Sequence, residues 1–254
     1  MSDAPPHART ARAARVELLR LLEADAPTLA TTLPAGFADG VERYAALLLD
    51  ANDRLNLTRV VEADGVARLH LLDALSALPI VDALHPRRAV DLGSGGGVPG
   101  IVLALARPDV AWLLVDSVAK KVAALAEMIE ALGMAGRVEA RAERIETLGR
   151  DPGWRETADL VTARACAPLP VLVEYALPLL RVGGRLVAWK GPIGEDELGA
   201  GGRAADLLGG EVSDVRATGI GALGDHHLVL VDKRRATPER FPRRPGEPSR
   251  RPLG

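Results

Sequence analysis

One run limits the possible folds more than any other feature: Asp91-Leu92-Gly93-Ser94-Gly95-Gly96-Gly97-Val98-Pro99-Gly100. Four of the five residues at 93–97 are glycine, so the backbone can turn tightly and approach a ligand with no Cβ in the way. Pro99 suits the first position of a helix, and Pro108 ends that helix near Arg107. The run therefore reads as a strand, a glycine loop and a helix N-terminus, an arrangement that attracts an anion such as a carboxylate.

The remainder of the chain extends this unit into a sheet. Short runs at 88–92, 111–115, 137–140, 159–163 and 185–190 alternate with helical stretches at 99–106, 119–132 and 169–180. This alternation predicts an α/β fold with a parallel sheet covered on both faces. Two last runs, 211–217 and 226–232, flank a Gly-rich turn and read as an antiparallel pair at the sheet edge, giving seven strands. The first 80 residues instead show helical spacing of apolar residues at 9–24, 37–55 and 60–78, with Asn56 closing the second helix. The expected organisation is a helical N-terminal extension packed on the core (1–80), a Rossmann-like core (81–233) and a basic, Pro-rich tail (234–254).

Composition narrows the setting. With 48% hydrophobic residues in 254, the chain can bury a full core. It contains no apolar window long enough for a membrane span. The arginine-bearing N-terminus lacks the apolar core of a signal peptide, so a cytoplasmic protein is expected. Cys166 is the only cysteine, which excludes an intrachain disulfide. His226 and His227 would point to opposite faces of a strand, so no metal is expected. The net charge of −2 does not favour nucleic acid. The tail does: Lys233, Arg234, Arg235, Arg240, Arg243, Arg244, Arg250 and Arg251 are opposed only by Glu239 and Glu247. It reads either as an extended arm that reaches phosphates or as a solvated end.

Asp116 closes the second strand, where a carboxylate can accept hydrogen bonds from a ribose diol. Gly95 to Gly100 also fits G-x-G-x-x-G, so an NAD-dependent oxidoreductase is a competing reading. Three features favour a class I S-adenosylmethionine-dependent methyltransferase. Asp91 opens the loop as D-x-G-x-G-x-G, Ala142-Glu143 follows the third strand where such enzymes hold adenine, and a long helical region precedes the loop.

Further segments carry a closer resemblance: Asn56-Leu57-Thr58, Arg68 to Asp73, Asp91 to Gly100, Leu114 to Ser117 with Lys120 and Lys121, Ala142-Glu143, Ala163-Arg164-Ala165, Trp189-Lys190-Gly191 and Arg240 to Pro248. In this order and spacing they resemble the glucose-inhibited division protein B family, the 16S rRNA guanine-N7 methyltransferases. Val98, Ala74 and Ala163 depart from the family pattern. The resemblance implies that Gly93, Ser94, Gly95, Val98, Asp116, Ala142, Glu143 and Arg164 bind S-adenosylmethionine. Lys190, Arg240, Arg243 and Arg244 are then candidates for RNA contact. It also implies a partner, 16S rRNA in the small ribosomal subunit or an assembly intermediate. A monomer is the default state.

The chemistry fits what is missing. Residues 162–168 contain no [ND]-P-P-[YF] segment of the kind used on exocyclic amines. Cys166 could serve as the nucleophile of a cytosine-C5 methyltransferase, but Ala165 and Ala167 beside it suggest a buried structural thiol. Guanine N7 has a free lone pair and needs no general base, so positioning suffices; Arg164 is the candidate for that task. His70 and Asp73, three apart on one helical face, have either a structural or a substrate role.

Overall fold

The computed structural model describes residues 5–254. The N-terminal region forms α1 (Pro6–Asp25), α2 (Pro27–Thr32) and α3 (Phe37–Leu55). Ala11, Ala14, Leu18, Leu21 and Leu22 make the buried stripe of α1, and Phe37, Val41, Tyr44, Ala45 and Leu48 make that of α3, as helical periodicity requires. Asn56 ends α3 in the left-handed region at φ 51°, where asparagine is tolerated.

The helix expected at 60–78 is broken into pieces. Short α4 (Ala63–Gly65) leads into a π-helical turn (Val66–Leu72), then α5 (Asp73–Leu75) and a separate α6 (Leu78–Leu84). Pro79 at the start of α6 supplies no amide hydrogen, which fixes the break. The wide π turn brings His70 and Asp73 together on the side that meets the sheet.

The core follows as β1 (Arg88–Leu92), α7 (Gly100–Ala106), β2 (Ala111–Asp116), α8 (Ala119–Ala131), β3 (Val138–Ala142), α9 (Ile145–Leu148), β4 (Ala158–Arg164), α10 (Leu169–Ala176), β5 (Leu180–Lys190), α11 (Glu195–Leu207), β6 (Gly210–Ala217), β7 (His227–Lys233) and α12 (Glu247–Arg250). The sheet has seven strands in the order β3-β2-β1-β4-β5-β7-β6. Strands β1 to β5 are parallel; β7 is antiparallel to both β5 and β6. This is the expected Rossmann-like architecture with its terminal antiparallel pair. The strand order reverses between β1 and β4, and in open α/β sheets the ligand crevice lies outside the carboxyl ends of the strands at that point.

Successive residues of β1 feed opposite cores. Ala89 joins Leu18, Tyr44, Leu48, Leu75 and Ile101 under the helical extension. Val90 and Leu92 join Leu169, Leu172, Leu177, Leu208 and Phe241 on the other face. Helix α11 carries no clear apolar period, because Gly199, Gly201 and Gly202 interrupt it. Gly201 is needed there: a Cβ at that position would lie 2.4 Å from Leu169 Cδ2, so α10 and α11 can meet closely only at glycine.

The tail differs from the extended arm that its charge suggests. Phe241 and Pro248 are buried. Arg155 donates to the carbonyls of Thr237 and Phe241 at 2.8 Å each, and Lys233, fully buried, donates to Leu177 O and ion-pairs with Glu156 at 3.0 Å. An aromatic anchor and these backbone acceptors outweigh the repulsion of the basic residues.

Candidate active site

The glycine loop follows β1 at the reversal point. Gly93, Gly95 and Gly97 have φ of +67°, +53° and +98°, values that side chains rarely tolerate. Space is short as well, because a Cβ on Gly93 would sit 2.8 Å from Cys166 Sγ. The loop is braced from three sides. Ser94 Oγ donates to Asp91 O at 2.9 Å, the Gly95 amide donates to Asp116 Oδ2 at 3.1 Å, and the buried Tyr44 hydroxyl of α3 donates to Gly96 O at 2.9 Å.

Asp91 itself is fully buried and accepts a 2.7 Å hydrogen bond from Thr162 Oγ1, its register partner across β4. Its Oδ2 lies beside Gly100 and closes no well-formed hydrogen bond. Burial pushes this carboxyl up to about 6, against the opposing pull of Thr162, Ser94 and Gly100. Asp91 therefore holds the loop to the sheet.

Two adjoining cavities flank the loop and share Gly93. One, of about 240 Å³, is lined by Asp116, Ser117, Arg144, Glu146, Cys166 and Tyr175, among others. The second, of about 200 Å³, is lined by Leu57, Thr58, His70, Ser94, Val98 and Arg164, among others. A larger open groove of about 730 Å³ around His85, Arg87 and Arg107 lies at the opposite end of β1 and β2, away from the glycine loop.

Gly93, Ser94, Gly95, Val98, Asp116 and Arg164 thus all border this crevice, as the sequence suggests. Ala142 and Glu143 do not line either cavity; the residues just after them, Arg144, Ile145 and Glu146, do. Asp116 Oδ1 also accepts the Val118 amide at 2.9 Å, and each carboxylate oxygen keeps a lone pair for a further donor.

At the second cavity Arg164 is the centre of a network. Its Nη1 donates to Leu69 O at 2.6 Å and to Asp73 Oδ2 at 3.2 Å, and its Nη2 lies 3.3 Å from His70 Nδ1. Asp73, 1% exposed, also meets His226 Nδ1 at 2.9 Å, while its carbonyl accepts from Trp189 Nε1 at 2.8 Å. Burial, assisted by the Arg164 charge, lowers His70 to about 4. His70 and Asp73 accordingly tie the helical extension to Arg164.

Two of the candidate RNA contacts already hold partners within the protein. Lys190 Nζ is held by Ala167 O at 2.9 Å and Glu197 at 2.8 Å, so it clamps α11 over the loop that follows β4. Arg243 grips Glu174, whose side chain is fully buried. An uncompensated carboxylate there would be costly, so this arginine belongs to the interior. Arg240 and Arg244 remain exposed. Cys166 is half-buried, and burial, helped by Asp91 and Asp116, pushes its thiol up to about 11; little thiolate exists there at neutral pH.

Sequence reasoning missed the contributions from distant segments: Leu48 and Leu57 of the helical extension, Tyr175 of α10, and Ser249 of the tail. Ser249 Oγ lies 2.9 Å from the Tyr175 hydroxyl, so the tail forms part of the cavity wall. Nothing in the local sequence around Ser249 signals this.

The pattern of the rRNA small subunit methyltransferase G family matches residues 38–229. The chain belongs to that family. A ribosomal RNA small subunit methyltransferase G from Moorella thermoacetica is 39% identical over 235 residues, covering 92% of this chain and 98% of that protein. Its counterpart from Deinococcus deserti is 45% identical over 219 residues, covering 84% and 88%. Among solved structures, the mitomycin 7-O-methyltransferase MmcR shares the fold with a TM-score of 0.51 at 16% identity, covering 73% of this chain and 60% of that one. The described residues of this family member contain no helix long and apolar enough to cross a membrane.

Proposed function

We propose that this protein transfers a methyl group from S-adenosylmethionine to N7 of a guanine in 16S rRNA, acting as a monomer on the small ribosomal subunit or an assembly intermediate. Family membership supports the reaction, and the observation that carries the site assignment is the pair of cavities joined at Gly93. One end offers the Asp116 carboxylate, suited to a ribose diol. The other offers the Arg164 guanidinium, suited to an amino-acid carboxylate.

When bound, S-adenosylmethionine supplies a methyl group on a sulfonium that leaves as a neutral thioether. The protein's tasks are to hold, orient and exclude water. The glycine loop gives backbone access, Asp116 fixes the ribose end, and Arg164 fixes the opposite end against the helical extension. The N7 lone pair needs no proton removed, so no general base is required, and His70 stays neutral and structural. Positioning of reactants is the main source of rate. N7 lies on the deep major-groove edge of A-form RNA, so the target guanine must be unpaired or extruded.

The test is transfer of labelled methyl from S-adenosylmethionine to purified small subunits, followed by reduction and aniline treatment of the RNA. N7-methylguanosine carries a positive imidazole ring and cleaves under these conditions. Label at a site that resists cleavage would overturn the N7 assignment.

A further inference from the structure

The structure assigns Thr58 a role beside Arg164: its hydroxyl donates a hydrogen bond to the carboxylate of the amino-acid moiety of S-adenosylmethionine. This rests on the cofactor reading above and extends it to a residue of the helical extension.

The groups around Thr58 fix which atoms carry the protons. Thr58 Oγ1 accepts the backbone amide of Val60 at 3.0 Å and lies 2.8 Å from His70 Nε2. Which of these two ring and hydroxyl groups donates is set by the far side of the imidazole. Arg164 Nη2 approaches His70 Nδ1 at 3.3 Å, and a guanidinium has donors only, so Nδ1 must present its lone pair. A neutral imidazole then carries its one proton on Nε2, directed at Thr58. Burial against Arg164 keeps the ring neutral at physiological pH.

Thr58 Oγ1 thus receives two hydrogen bonds, which fills its two acceptor positions. Its own hydrogen has no acceptor among the described residues, yet Thr58 stands in the cavity wall with Gly93 to Gly96. Arg164 is in the same condition. Three of its five N–H groups are spent on Leu69 O, Asp73 and His70, which leaves Nε–H and one Nη2–H.

No residue lining this cavity carries a carboxylate, and the Ser94 hydroxyl is spent on Asp91 O. The wall therefore presents donors and a positive charge to its contents, which calls for an anionic acceptor. A ligand whose ribose lies against Asp116 and which passes Gly93 brings its amino-acid carboxylate to this end. The hydrogen bond to an ionised acceptor is of the stronger kind.

Calorimetric titration of the full-length protein tests this with two ligands, S-adenosylhomocysteine and 5′-methylthioadenosine, the second lacking the amino-acid moiety. In Thr58→Val the Kd of S-adenosylhomocysteine is expected to rise about ten-fold or more, as loss of a charge-assisted hydrogen bond implies. The Kd of 5′-methylthioadenosine is expected to stay within a factor of about two, since that ligand has no carboxylate to lose. Thr58→Ser, which keeps the hydroxyl, restores the wild-type ratio of the two constants. An equal loss for both ligands would mean that Thr58 only supports the wall, and the proposal fails. Unchanged S-adenosylhomocysteine binding also overturns it, and a raised KM for subunits in that case would place the hydroxyl against RNA. If the wild-type protein binds neither ligand, the fault lies instead with the cofactor reading.

Discussion

Arg164 Nη2 at the end of β4 lies 3.3 Å from Nδ1 of His70, a residue 94 positions earlier in the chain. Through this contact and the adjoining ones to Leu69 and Asp73, the helical extension becomes a wall of the crevice. Its position is fixed by the same guanidinium that borders the glycine loop.

Replacement of Arg164 therefore removes charge, position and a buried ion-pair partner together. Arg164→Ala is expected to lower methyl transfer by about a hundred-fold, the scale associated with loss of reactant positioning. Arg164→Lys is expected to recover little, because an ammonium cannot reproduce the planar fork that reaches three acceptors. Steady-state transfer to small subunits, alongside cofactor titration, reads both. Near wild-type turnover in Arg164→Lys would show that only charge matters there.

His70 carries a pH signature. Unfolded, it takes up a proton near 6.5; folded, only near 4. Its contribution to stability is complete above the unfolded value and is lost as pH falls toward the folded one. The gap in melting temperature between the wild type and His70→Gln is therefore expected to shrink in favour of the variant as pH is lowered from about 7 to about 4.5. A gap independent of pH would contradict the buried, neutral imidazole.

Cys166→Ala is expected to retain most of its transfer activity, since the thiol is held at about 11 and N7 chemistry forms no enzyme–base adduct. Gel-resolved methylation of 16S rRNA measures this directly. A dead Cys166→Ala protein, with its fold and cofactor binding intact, would favour carbon methylation of cytosine.

The tail separates by residue. Arg243→Ala leaves Glu174 charged and fully buried, so a loss of roughly 3 kcal/mol or more in stability is expected. Denaturant melts read this, and Glu174→Gln in the same chain recovers part of it. Arg244→Ala should leave stability unchanged and flatten the salt dependence of subunit binding by about one unit of slope if it meets a phosphate. An unchanged slope would remove Arg244 from the RNA surface.

These contrasts show which features could be read from sequence. The sheet, its antiparallel end and the glycine loop were legible because each rests on local rules: alternation of runs, prolines at helix ends, and glycine where φ is positive. Asp116 was legible because its place at the end of β2 is set by chain position alone. The π turn at Val66–Leu72 and helix α11 were not, since tertiary contacts, including the Gly201–Leu169 approach, override a weak local pattern. The tail misled for a related reason. Its composition describes repulsion between neighbours in sequence, whereas Glu174, Glu156 and Glu146, each about 70 to 100 residues away, decide where it lies. The ion pair of Lys190 was illegible for the same reason, since its partner Glu197 sits on helix α11.

Mass mapping of 16S rRNA from cells with and without this protein tests the methyl transfer itself. One guanosine fragment is expected to be lighter by a single methyl group when the protein is absent, restored by the wild type and not by Arg164→Ala. An identical set of methylated fragments in both RNAs would contradict it.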